Sequence, residues 1–125
     1  MNIDKIERGW FYLADLNPRR GTEPGKTRPV LVIQTNLLND VGHRSTIILP
    51  VTSNIKDGAE PLRVRIPGGS DGFTVESDIM IDQIRVIDNR RLYKINSNHL
   101  IKKIAPASQS ILQKVVNFLK LVCEI

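Results

Sequence analysis

Cysteine is nearly absent from this sequence. The single one, Cys123, leaves no internal disulfide and no cysteine-held metal cluster to expect. No apolar run approaches the roughly 20 residues that a membrane span needs. The opening "MNIDKIERG" carries four charges and no apolar stretch, unlike a secretory signal. Repeats and low-complexity tracts are also lacking. Histidine occurs only as His43, in the loop-like "NDVGHRS", and His99, ahead of the last helix; neither setting favours a direct catalytic role. Acidic residues are outnumbered, 13 against 18 basic ones, for a net charge of +5. That excess fits a polyanionic partner such as RNA or DNA, and equally a mildly basic small protein. Together these features favour a cytosolic protein forming one domain over residues 1–125.

What is present reads mainly as strands. "WFYLADL" (Trp10–Leu16) is aromatic-rich and ends in the turn signal "NPRRG". "PVLVIQ" (Pro29–Gln34) and "STIILPVTS" (Ser45–Ser53) are short apolar runs, as expected of strands covered on both faces. "LRVRI" alternates, which points Leu62, Val64 and Ile66 inward and Arg63 and Arg65 outward. "DIMIDQIRVID" (Asp78–Asp88) reads as one longer strand, and "NLLND" (Asn36–Asp40) as a helical turn. From Pro106 onward, Ile111, Leu112, Val115, Val116, Leu119 and Val122 form one stripe of an amphipathic helix, with Pro106 suited to its first turn. The expected architecture is mostly β with a C-terminal helix: a small, mainly antiparallel barrel capped by that helix.

One stretch invites a specific question. "GTEPGKT" (Gly21–Thr27) looks like a phosphate-binding loop. Its glycines are one residue too close for G-x-x-x-x-G-K-[ST], and the next residues, "RPVLVIQ", do not read as a helix. Pro29 turns Arg28 away from helical dihedrals, and the β-branched run continues as strand. A nucleotide loop is therefore rejected. Arg28 instead sits at the mouth of a strand, where its planar fork suits a phosphate; the alternative is a structural ion pair with Glu23.

Three segments then form a pattern: "RGWFYLADLNPRRGTEPGKTRPVLVIQ", "LPVTS" and "IDQIRVIDNRRL". In this order and spacing they resemble the MazF/PemK (Kid) toxins of bacterial toxin–antitoxin systems, which are sequence-specific endoribonucleases. The resemblance runs from Arg8 to Leu92 and includes the terminal helix. It implies the SH3-like barrel shared by MazF, PemK and CcdB-like proteins, working as a homodimer with single-stranded RNA, such as mRNA, in a groove formed by both subunits. It implies a cognate antitoxin of the MazE kind occupying that groove, and no membrane partner. It also implies a reaction without metal or other cofactor. The ribose 2′-OH attacks its own 3′-phosphate, leaving a 2′,3′-cyclic phosphate and a 5′-hydroxyl.

By position, the resemblance assigns the catalytic pair to Arg28 and Thr52 and the loop acid to Glu23. It matches Asp82 and Gln83 to an acid–glutamine pair, and Glu76 and Ser77 to a polar pair before it. The chain departs from the pattern at Thr22, where some members have histidine, at Met80, where some have arginine, and at Pro24, where glutamine is common. An acid–base scheme built on the first two positions cannot apply here.

The chemistry needs a base for the 2′-OH, a donor for the phosphorane oxygens and an acid for the leaving oxygen. Arg28 suits the phosphate and is too basic to accept the proton. Thr52 can bond a non-bridging oxygen, and Glu23 is the candidate base. Arg19, Arg20, Lys26 and Lys56 are placed to meet the RNA backbone, with Thr27 and Ser53 beside the catalytic pair. On a regular strand Asp82 and Gln83 face opposite ways, so one of them meets RNA; Gln83 is favoured and Asp82 stays open. Arg63 and Arg65 read first as a solvated sheet edge and second as RNA contacts. Trp10, Phe11 and Tyr12 read first as core and second as stacking platforms. Two other functions remain. One is a CcdB-like inhibitor of DNA gyrase, which the tryptophan-free ending "LVCEI" disfavours; the other is an RNA-binding barrel without catalysis.

Overall fold

The structure, a computed structural model, describes residues 5–92, 94, 95 and 100–125; His99 lies outside them. Strands β1 (Trp10–Asp15), β2 (Thr27–Val32) and β3 (Ser45–Thr52) form an antiparallel meander, interrupted only by the short helix α1 (Asn36–Asp40). Each is β-branched or aromatic and apolar on both faces, as a doubly covered strand must be. Next come β4 (Arg63–Ile66), β5 (Ser77–Met80), a 3-10 turn at Ile81–Gln83 and β6 (Arg85–Asp88). A two-stranded ribbon, β7 (Lys94–Ile95) with β8 (Leu100–Ile101), precedes β9 (Lys103–Pro106) and helix α2 (Gln109–Cys123). The seven-stranded sheet has the order β4-β5-β3-β2-β1-β9, with β6 also on β3. Every pairing is antiparallel.

The sheet curls into a half-barrel. Its open side is narrowed by the β4–β5 loop, which reaches β9: a Cβ on Gly72 would lie 2.5 Å from that of Ala105. Gly72 also has φ +83°, a backbone conformation that other residues rarely adopt. Asp71 in the same loop accepts a hydrogen bond from the Ser108 amide at the start of α2.

Two cores result. Phe11, Leu31, Leu49, Val51, Val64, Ile66 and Ile79 pack one face against Ile111 and Val115 of α2. Tyr12, Ala14, Val30, Val32, Ile48 and Ile87 fill the other face. Each fully buried Leu, Ile, Val or Phe side chain contributes roughly 1.5–3 kcal/mol. Phe11 meets Phe73 edge-on at 4.9 Å. Phe11 and Tyr12 are therefore core residues, not stacking platforms. The Tyr12 hydroxyl accepts from the Glu7 amide and donates to the Lys5 carbonyl. Burial, which outweighs the hydrogen bond from Glu7, pushes its pKa up to about 12. Trp10 is half-buried beneath Lys103, whose ammonium stands 4.3 Å from the ring centroid.

The structure corrects the sequence reading in three places. Asp78–Asp88 is not one strand. Both halves pair with β3, Thr52↔Asp78 on one side and Ile48↔Arg85 on the other, but in registers three residues apart. The Ile81–Gln83 turn takes up the difference, so alternation does not govern Asp82 and Gln83. Leu62 lies just before β4 and is 43% exposed, while Val64 and Ile66 are buried as expected. Pro106 ends β9 instead of opening the helix; Ser108 caps α2, its hydroxyl accepting from the Ile111 amide, a bond worth about 1 kcal/mol.

Candidate active site

Register builds the site. Residues paired across strands share a face. Ala14 pairs with Arg28, Thr52 with Asp78, and Asp78 with Arg65. The β2–β3 ladder, pairing Val30 with Pro50, sets Arg28 opposite Thr52 when continued by two residues. One row across the second core's face thus runs Arg28, Thr52, Asp78, Arg65. It lies beyond the end of the second core, where the apolar residues stop.

Above Arg28 and Thr52 the β1–β2 loop encloses a cleft of about 470 Å³. That loop contributes Asn17, Arg19, Thr22, Glu23, Pro24 and Lys26. Asn54, Arg63 and Met80 line the other wall. A contiguous hollow of about 370 Å³ continues over Thr27, Pro29, Val51 and Ser53, sharing Lys26, Arg28, Thr52 and Asn54 with the first. The loop's shape is set locally. Asn17 accepts the Lys26 amide at 2.8 Å, and Leu16 donates to the Lys26 carbonyl. A Cβ on Gly25 would come within 2.7 Å of Arg19 Cβ, so the loop closes only with glycine there.

Arg28 donates from Nε to the Gly25 carbonyl at 2.7 Å, which fixes the guanidinium plane and leaves its outer edge for a ligand. Among the described residues no carboxylate forms an ion pair with it, and the pairing with Glu23 weighed from the sequence is not found. Burial, and then the like charge of Arg19, hold its pKa below the ordinary arginine value. Thr52 is buried, and its Oγ1 accepts from the Asn54 amide at 3.1 Å, so the hydroxyl proton is left to donate elsewhere.

The other end of the row differs. Asp78 is 1% exposed. Its Oδ1 accepts from Arg65 Nε, and its Oδ2 from Arg63 Nη1 at 3.1 Å and the Lys56 amide at 2.9 Å. Burial by itself would raise its pKa; the bonds from Arg65, the Lys56 amide and Arg63 together outweigh it, and the carboxyl titrates below its usual range. Arg65 is also tied to Asp57 at 2.9 Å and Glu76 at 3.3 Å, and its pKa is raised, chiefly by Asp78. The solvated edge expected of Arg63 and Arg65 is thus an ion-pair network around a buried carboxylate.

Of the residues singled out from sequence, Arg28, Thr52, Glu23, Arg19, Lys26, Thr27 and Ser53 come together here. Arg63, read second as an RNA contact, also lines the cleft, as do Thr22, Pro24 and Met80, while the remaining candidates do not. Arg20 is exposed on the loop, Lys56 borders a separate cavity beside Asp78, and Glu76 is engaged with Arg65. Ser77 is buried and donates to the Val75 carbonyl. Asp82 is exposed and Gln83 half-buried on the 3-10 turn. His43 is exposed beyond the opposite end of β3. Asn17, Asn54 and Asp78 were missed: Asn17 reads as turn punctuation, Asn54 as loop, and Asp78 as an exposed strand start. Among the described residues no group of three or more His, Cys, Asp or Glu side chains could hold a metal ion, and no helix is long and apolar enough to cross a membrane.

The chain is similar to known proteins over most of its length. Residues 7–123 match the family model described as PemK-like, MazF-like toxin of type II toxin–antitoxin system. The Bacillus subtilis protein named Endoribonuclease EndoA is 42% identical over 90 residues, 70% of this chain and 74% of its own. A crystal structure of MazF from Deinococcus radiodurans superposes with TM-score 0.75 at 25% identity, over 96% of this chain and 97% of that one. A MazE–MazF structure from the same organism gives TM-score 0.71 at 23% identity, over 97% and 98%. The chain belongs to the PemK/MazF toxin family of type II toxin–antitoxin systems.

Proposed function

We propose that this chain is a cytoplasmic, sequence-specific endoribonuclease that cuts single-stranded RNA by internal transesterification, without a metal ion, and so inhibits translation. The observation that carries the reading is the Arg28–Thr52 row: an arginine fork unpaired by carboxylate, across from a hydroxyl with a proton to give, on a cleft floor. The lining supplies four cations, Arg19, Lys26, Arg28 and Arg63, against one carboxylate, Glu23. A phosphodiester chain matches that balance, and the Bacillus relative is named an endoribonuclease.

In the proposed step Glu23 takes the 2′-OH proton and O2′ attacks phosphorus. Arg28 and Thr52 donate hydrogen bonds to the non-bridging oxygens, where negative charge builds. The P–O5′ bond breaks, and Arg28, with its depressed pKa, gives the proton that the 5′-oxygen needs. A 2′,3′-cyclic phosphate and a 5′-hydroxyl remain. Arg19 and Lys26 hold neighbouring phosphates. The chain acts as a homodimer, whose groove extends past one protomer; Asp82 and Gln83 are its proposed contacts outside the cleft. An acidic MazE-like antitoxin segment silences the enzyme by competing for the same cations.

The test is to digest a long RNA in EDTA and sequence its 5′-hydroxyl ends. Cleavage at one recurring sequence is expected. A strict requirement for a divalent ion would sink the mechanism. So would cutting of an oligonucleotide that carries 2′-deoxyribose at the scissile position.

A further inference from the structure

Arg63 belongs to two environments. It lines the cleft, and it also borders the separate cavity of about 220 Å³ beside Asp78. Its side chain is 23% exposed. Nη1 is shared between Asp78 Oδ2 and the Asn54 carbonyl at 2.9 Å; among the described residues Nε and Nη2 have no partner. The β4–β5 register pairs Arg63 with Met80, which also lines the cleft. A guanidinium anchored on one side and open on the other is pre-organised for an oxyanion.

The anchor is unusual in what it joins. Asp78 lies opposite Thr52 in the β3–β5 ladder. Through Oδ2 it also holds the Lys56 amide, and so the segment that continues from Thr52 through Ser53 and Asn54. Arg65 occupies the other oxygen and is itself held by Asp57 and Glu76, away from the cleft lining. Asp78 is thus fully engaged, and a buried carboxylate with that many bonds is a rigid support.

We propose that Arg63 binds a backbone phosphate of the RNA next to the scissile one, and that Asp78 is the positioning residue that aims it. The proposal rests on the functional reading above. Arg63 does not carry the bond-breaking step; it fixes the strand's path across the cleft, with Arg28 serving the reacting phosphate.

The experiment uses the full chain and two probes: a cleavable single-stranded RNA, and the same oligonucleotide with 2′-deoxyribose at the scissile position for binding. Arg63→Ala is expected to raise KM and weaken binding about tenfold with kcat nearly unchanged, and to lower the salt slope by about 0.7, the value for one single-strand phosphate contact. Asp78→Asn is expected to weaken binding by about the same factor and to add less than about twofold in the Arg63→Ala background, since both act through one contact. Val115→Ala, a truncation in the first core on α2 and outside the cleft lining, is the control for general damage. It should lower thermal stability and leave KM within about twofold. Unchanged KM and salt slope in Arg63→Ala overturn the phosphate role. Full additivity of the two substitutions, or a Val115→Ala effect on KM as large as theirs, overturns the positioning role. Wild-type protein that neither binds nor cuts RNA overturns the functional reading itself, and is distinct from those results.

Discussion

Arg28 and Arg65 occupy opposite ends of one row of the sheet and have opposite fates. Arg65 is gripped by three carboxylates, and its proton is held more tightly than in water. Among the described residues Arg28 pairs with no carboxylate; it is half-buried, faces Arg19, and holds its proton less tightly. One guanidinium is satisfied within the fold; the other is left for a ligand to satisfy. An arginine kept unpaired costs stability, and such strain is expected where a ligand binds.

The contrast can be broken most forcefully at the open end. Arg28→Ala and Thr52→Ala are each expected to reduce cleavage by on the order of a hundredfold or more, the scale of a lost oxyanion donor. Their thermal unfolding should stay close to wild type. A variant that loses stability and keeps its rate would place that residue with Arg65 instead. At the closed end the signature reverses. Asp78→Ala removes the carboxylate that Arg63 and Arg65 share, and an unfolding titration should show a loss of roughly 2–3 kcal/mol, below the full value for a buried pair because both arginines reach solvent.

Glu23→Gln comes next, with cleavage reduced by roughly tenfold to a hundredfold and the acidic limb of the pH–rate profile flattened. An unaltered profile would remove Glu23 as the base. The smallest effect is on acid stability. The folded-state pKa of Asp78 lies below its ordinary 3.8, so its stabilisation is present in full above that value and fades as pH falls through the folded-state pKa. The stability gap between wild type and Asp78→Asn should therefore narrow below about pH 4. A gap that stays constant into strong acid would mean that the charge on Asp78 is not what stabilises the fold.

Local pattern made much of this legible. The strands β1 to β4 and helix α2 are marked by apolar pattern, and Arg28, Thr52 and Glu23 are singled out by resemblance to a family pattern. Pairing was not legible. That Arg63 and Arg65 point away from the first core is an alternation rule; that a carboxylate waits for them on β5 depends on which strands are neighbours. Asp78 therefore reads as a surface residue, although burial is its main property. The short strands β7, β8 and β9 leave no clear mark because two to four residues carry too little periodicity. Asp82 and Gln83 take opposite faces only by a rule that holds within an unbroken strand.

The Ile81–Gln83 turn has a consequence for the whole face that carries the second core. A strand has a two-residue period, so an extruded segment acts as a phase shifter whose effect depends on parity. Three residues are odd. Asp78 and Met80, even-numbered, share the face of the cleft row; Arg85 and Ile87, odd-numbered, share that face with Ile48. Were the turn one residue shorter, Ile87 would rotate out of the core and Val86, now exposed, would rotate in. Shortened by two, it would become an ordinary bulge and keep both rows in place. The odd length of one small turn lets a single edge of β3 serve both the cleft row and the core.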